Sequence, residues 1–292
     1  MKKIVVLTLL IVGLAFFFWP GHPPNQFLMG LISKSPQQGK TSETISKNGL
    51  DSHQIPSFLN FEFAGVTKED ENKIREGIRI MDFYLNNWFG HSITNKASYK
   101  VDSSNQNGDS FADGPNGEII VFIHTQDKTW QMIRQFTSQY NMDLRGRLAA
   151  HEYIHLYQAD NGCGKIYNPN QPRLKWLMEG EAEWLSWKAM MDSGNIPSFL
   201  GLEQMLSIPL QGGNLLPLKT YEKTADIDVQ LYSYFALATN FLMKDRDIKT
   251  LDNFCANVGK GQEPSVAFEN AFGVPLAKFY SNFETYRQNL GK

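Results

Sequence analysis

Two cysteines in 292 residues are too few for a disulfide framework. Cys163 and Cys255 stand far apart, and a bridge between them would close a loop of about 90 residues, stabilising by about 4 to 5 kcal/mol on the chain-entropy model. The sequence leaves that bridge open, and a single distant pair points slightly more to buried thiols. Charge of one sign is also missing. The 28 Lys and Arg offset 30 Asp and Glu, for a formal net charge of -2 and a pI near 6.3. With no basic stripe on any expected helix, nucleic acid is excluded as an expected partner.

Long apolar runs are nearly absent. The exception is the uncharged stretch over 4–19, which follows Lys2 and Lys3. It is short for a spanning helix, which needs about 17 to 25 residues, and long for the apolar core of a signal peptide. Trp19, Pro20, Gly21 and His22 make a poor cleavage site, and there is no cysteine here for lipid attachment. Residues 1–20 are therefore expected to be a signal peptide or an N-terminal membrane anchor, the anchor being favoured with Lys2 and Lys3 inside. The remainder is expected to be exported, either membrane-anchored facing outside the cytoplasm or secreted. Residues 21–55 are rich in Pro, Gly, Ser, Gln and Lys and read as a flexible linker reaching on the order of 30 Å. Residues 56–292 suffice for one domain.

Histidine is scarce too, with 6 in the chain, yet two of them fall in His151-Glu152-Tyr153-Ile154-His155. On a helix this H-E-x-x-H spacing puts two imidazoles on one face, where they can grip one metal ion, with the glutamate aimed at a metal-activated water. The chemistry it implies is metal-assisted hydrolysis. The stretch 144–159 reads as that helix, with Leu144, Leu148, His151 and His155 on one stripe, Asn141 or Asp143 as its cap, and Gly162 or Gly164 as its stop. Two core histidines merely bonded to backbone are the plainer alternative. His22 and His53 fall in the linker and His91 in a loop, where surface roles suffice, while His124 closes a strand.

A catalytic zinc site usually has three protein ligands. A third histidine six residues after His155 is missing, since Asn161 stands there and Gln158 occupies the glycine position of that extended pattern. The next patterned stretch is Trp176-Leu177-Met178-Glu179-Gly180-Glu181-Ala182-Glu183-Trp184, a second helix opened by Pro172 and ended near Gly194. Trp176, Glu179, Glu183 and Trp187 share one face, Glu181 points away from it as a surface residue, and Gly180 implies a close approach of the two metal-binding helices.

These two motifs, in this order, resemble the gluzincin metallopeptidases, in which H-E-x-x-H on one helix is completed by a glutamate on the next, commonly within W-L-x-E-G-x-A. The resemblance implies His151, His155 and Glu179 as zinc (Zn2+) ligands and Glu152 as general base. It places Glu183 where thermolysin-like members hold an acidic residue that orients the first histidine, although a solvated or ion-paired carboxylate is an equal reading. It implies a tyrosine at the head of the apolar segment ending at Leu242, Tyr232 being favoured over Tyr234, whose hydroxyl would bond the developing oxyanion. A core or rim tyrosine is the plainer reading.

The fold class expected is α+β and zincin-like: a small N-terminal sheet and the HExxH helix, followed by a mostly helical C-terminal lobe. Strands are expected over 58–65, 98–102 and 118–124, with one helix over 68–88. The last strand is either the substrate-pairing edge that the resemblance implies or an ordinary buried strand. The Asn-rich loop over 102–109 lacks the register and closing glutamate of a calcium loop. Two scaffold helices are expected over 265–272 and 276–286. The aminopeptidase signature G-x-M-E-N is absent, so an endopeptidase acting on peptide or protein substrates is expected. A zinc hydrolase of a non-peptide amide or ester, or an inactive surface-tethered zincin-fold binding domain, are the competing readings.

Overall fold

The computed structural model describes residues 49–104, 110–113, 118–140, 142–164, 174–196, 201–207, 210, 215–223 and 229–290. The run over 4–19, most of the linker, Asn141, Pro172 and part of the Asn-rich loop lie outside the described residues. Among the described residues no helix is long and apolar enough to cross a membrane.

The protein is α+β, with a small sheet at the N-terminal side and a mostly helical remainder. Strand β1 (Leu59–Ala64) leads through helix α1 (Lys68–Phe89) to β2 (Ala97–Asp102), and β3 (Ser110–Asp113) turns back to β4 (Ile119–His124). The sheet order is β1-β2-β4-β3. β1, β2 and β4 run parallel, and β3 is antiparallel to β4 with Phe111 opposite Val121. A parallel pair needs a crossover, and α1 supplies the first one. The stretch expected around 118–124 is thus an interior strand. The edge on that side is β3, a four-residue strand that the turn-rich sequence concealed, and β1 is the other edge.

Helix α1 starts at Thr67, whose hydroxyl oxygen accepts from Asp70 N at 3.1 Å, and ends at Gly90, whose φ of 85° suits glycine. A second helix before the metal motif, α2 (Lys128–Tyr140), was not expected. Its apolar residues Trp130, Ile133, Phe136 and Tyr140 do recur at helical spacing, and Trp130 and Ile133 are buried. Then come α3 (Arg145–Asp160), α4 (Lys175–Ser193), the short α5 (Leu202–Ser207), a 3-10 turn at Leu218–Tyr221, α6 (Val229–Met243), α7 (Lys249–Gly259), α8 (Pro264–Phe272) and α9 (Leu276–Asn289). Helix α3 packs on α1 and α4, and α4 packs chiefly on α6. No side chain caps α3 at Leu144. Asp143 accepts from Arg145 N at 3.1 Å instead.

Two glycine contacts set these crossings. A Cβ on Gly77 of α1 would lie 1.9 Å from the Gly146 carbonyl oxygen of α3. A Cβ on Gly180 of α4 would lie 2.4 Å from the Phe235 carbonyl oxygen of α6. Gly180 therefore admits α6, and the expected approach to the other metal-binding helix is corrected: α3 closes on α1, at Gly77 and Gly146.

Asp70, with 0% of its surface exposed, ties three helices together. It accepts from Arg145 Nη1 at 2.8 Å, from Trp130 Nε1 at 3.3 Å and from Arg134. Burial pushes its carboxyl up, but the hydrogen bonds from Arg145, Thr67 and Arg134 outweigh it and hold the group below its ordinary value. Leu50 is buried, and His53 Nε2 lies 2.7 Å from Asp82 Oδ2, so these two residues read as linker pack against α1.

Cys163 and Cys255 are bridged, with Cα atoms 4.7 Å apart. The lean toward separate thiols is corrected. Gly162 and Gly259 let the backbones meet, since a Cβ on Gly162 would sit 2.7 Å from Gly259 Cα.

Alanine has the higher helix propensity by about 1 kcal/mol, yet at Gly77 or Gly180 its methyl meets backbone, and clashes of this kind cost about 1 to 3 kcal/mol. Gly77→Ala and Gly180→Ala should lower the denaturant midpoint, whereas Gly201→Ala, with nothing within 4 Å, should not. Asp70→Asn should cost about 3 to 5 kcal/mol at pH 7 by leaving two arginines short of a partner. A depressed carboxyl stabilises above its unfolded value of about 3.9 and loses that contribution as pH falls through its folded value. The gap between wild type and Asp70→Asn should therefore narrow below about pH 4; a gap independent of pH in urea melts would contradict this account.

Candidate metal centre

Helix α3 carries His151 and His155 one turn apart, and α4 lies across them with Glu179 and Glu183 one turn apart. The donor atoms converge. His151 Nε2 and His155 Nε2 are 3.1 Å apart, and Glu179 Oε2 lies 3.3 Å from His155 Nε2 and 3.6 Å from His151 Nε2. A tetrahedral ion with bonds of about 2.0 to 2.1 Å separates its ligand atoms by about 3.3 to 3.4 Å. The triangle matches that spacing, and all three residues are buried. This group can hold a metal ion.

The far side of each imidazole is occupied. His151 Nδ1 faces Glu183 Oε2 at 3.1 Å, and His155 Nδ1 faces Gln158 Oε1 at 2.9 Å. Oxygen acceptors at Nδ1 require a proton there, so Nε2 is the nitrogen of each ring left to face the centre of the triangle. Glu183 is fully engaged: Oε2 also accepts from Arg147 Nη1 at 2.6 Å, and Oε1 accepts from Trp187 Nε1 at 2.9 Å. Burial pushes this carboxyl up, but Arg147 and His151 pull it down to about 2. Burial likewise works against a charged His151, yet its bonds to Glu179 and Glu183 push the imidazole up to about 10. Glu179 is held well below the carboxylate range, because the two imidazoles outweigh its burial.

Glu152 follows His151, is partly exposed, and adds its negative charge to the field on both imidazoles. Beneath it on β2, the fully buried Tyr99 hydroxyl is held well above its ordinary value by burial and by Glu152. The two tyrosine candidates separate cleanly, because residues two apart on a helix face different ways. Tyr232 is partly exposed, with its ring centroid 5.5 Å from that of His151. Tyr234 is buried, its hydroxyl donating to Leu216 O at 3.2 Å and to Glu284 Oε1 at 3.1 Å. Only Tyr232 adjoins the centre.

His124 is buried, with Nδ1 2.9 Å from Asp102 Oδ1, and His91 bonds Asp252 and Tyr157. The surface reading of Glu181 is corrected: it is 1% exposed and accepts from Gln158 Nε2 at 3.1 Å. Burial pushes its carboxyl up to about 8. Helical geometry did place it off the Glu179 face, but α4 is covered on that side as well. Gln158 and Arg147 carried no sequence signal beyond lying one helical turn from a histidine of the motif. No family model matches the chain, and no curated protein matches it in sequence.

Alanine at His151, His155 or Glu179 should abolish stoichiometric uptake of added zinc, read as metal per chain by elemental analysis after gel filtration. Full retention in Glu179→Ala would assign the third ligand to another residue.

Proposed function

We propose that this protein is a zinc-dependent peptidase of gluzincin type with a zincin-like fold. The observation that carries the reading is the triangle of His151 Nε2, His155 Nε2 and Glu179 Oε2, with sides of 3.1 to 3.6 Å and with Glu152 beside it. Zinc held there would supply Lewis acidity for a carbonyl oxygen and for water. Glu152 takes the proton of the attacking water and later delivers it to the leaving amine, because a positioned carboxylate can serve first as base and then as acid. Tyr232, next to His151 and partly exposed, donates its hydroxyl to the oxyanion as charge develops there. Glu183 holds His151 in orientation while Arg147 and Trp187 hold Glu183.

Extended substrate pairs with the outer side of β3, the antiparallel edge of the sheet, through backbone hydrogen bonds. This reading favours peptide bonds over other amides. We place the enzyme outside the cytoplasm, carried there by residues 1–20 as signal or anchor. The Cys163–Cys255 bridge supports that location, since such bonds persist in oxidising compartments.

Glu152→Gln keeps size and shape but removes the base. It should bind zinc as the wild type does and lose about 100-fold to 10,000-fold in hydrolysis of a peptide library read by mass spectrometry. Wild-type turnover in the zinc-loaded variant would refute the assigned base.

A further inference from the structure

We infer that Gln158 is the positioning residue for His155, and that the metal-ligand helix α4 itself sets the orientation of that glutamine. The inference rests on the metal-site reading above and concerns how the site is built. The side-chain amide of Gln158 has two unlike ends. Its Nε2 lies 2.9 Å from Met178 O and 3.1 Å from Glu181 Oε2. Met178 O is a backbone carbonyl and can only accept, so the NH2 group must face α4. Oε1 is thereby turned to His155 Nδ1, at 2.9 Å. An oxygen there requires Nδ1 to carry the hydrogen, so Nε2, 3.3 Å from Glu179 Oε2, is the nitrogen left for a metal. Each link dictates the next: carbonyl to amide, amide to tautomer, tautomer to metal donor.

The linkage also joins the ligands mechanically. Met178 and Glu181 flank Glu179 on α4, while Gln158 follows His155 by one turn on α3. One buried amide, 0% exposed, therefore fixes the second histidine against the turn that presents the third ligand. His151 is held differently, by the carboxylate of Glu183 with Arg147 behind it. The two imidazoles thus have one charged and one neutral supporter. A second carboxylate at 158 would meet Glu181 and the Met178 carbonyl with no hydrogen to offer either. A neutral amide satisfies both neighbours and the imidazole together.

The test measures zinc affinity of the full chain by chelator competition, alongside thermal unfolding of the metal-free protein. Gln158→Met keeps side-chain length in an apolar form. It should weaken zinc about 10-fold to 100-fold, the usual cost of losing a group that orients a ligand, a larger loss than the accompanying fall in the metal-free midpoint accounts for. Gln158→Glu combined with Glu181→Gln keeps an oxygen on Nδ1 and lets the new amide at 181 donate to it, while the Met178 carbonyl loses its donor, so affinity should rise above that of Gln158→Met without reaching wild type. Wild-type affinity in Gln158→Met would overturn the inference and leave the metal site standing. Loss of affinity only in step with metal-free stability, or a double variant that binds no tighter than Gln158→Met, would reduce Gln158 to a packing residue and overturn it as well. Absence of zinc binding in the wild type would overturn the metal-site reading and this inference with it.

Discussion

Backbone contact at glycine is the constraint on which the rest of this structure depends. Three donor atoms spread across two helices can share a metal ion only if they are held to about half an ångström, so the helices must be seated by something stiffer than side chains. At Gly77 and Gly146, α1 and α3 meet backbone to backbone, and at Gly180 the carbonyl of Phe235 on α6 fills the space a methyl would need. These contacts seat α3 against α1 and α4 against α6. His151, His155 and Glu179 converge where α3 and α4 cross.

Helix α3 is also held at both ends. At its start Arg145 reaches the buried Asp70, which collects α1 and α2 as well. Just past its end the Cys163–Cys255 bridge fastens it to α7, and Asn161 donates to the Asp252 carbonyl at 3.2 Å. A helix restrained at both ends can carry two buried imidazoles next to carboxylates without relaxing away from them. The cost of burying that polar cluster is offset by hydrogen bonds from Glu183, Gln158, Arg147 and Trp187.

Much of this was legible in the chain. Period and composition located β1, α1, β2, β4, α3 and α4 to within a few residues, and helical spacing placed His151 with His155 and Glu179 with Glu183 on shared faces. Strand β3 went unread because it has too few residues to show a period, whereas the helical spacing of Trp130, Ile133, Phe136 and Tyr140 in α2 was there to be read. Glu181 was misread for a different reason. A helix wheel tells which residues are opposite Glu179, but not whether that opposite side is wet, and α4 is covered all round. The same limit left Tyr232 and Tyr234 open until α6 was seen lying on α4.

By itself the sequence determined that His151 and His155 share one face of one helix and Glu179 and Glu183 one face of the next, because helical pitch is a local property; Glu179 as the third donor was what the resemblance implied. Tertiary structure alone decided what stands behind those donors. Gln158 reaching Met178 O, Arg147 reaching Glu183, and two cysteines 92 residues apart becoming bonded all depend on which elements are neighbours. Neighbours are chosen by the packing of whole helices, at glycines whose role is visible only when the second backbone is present.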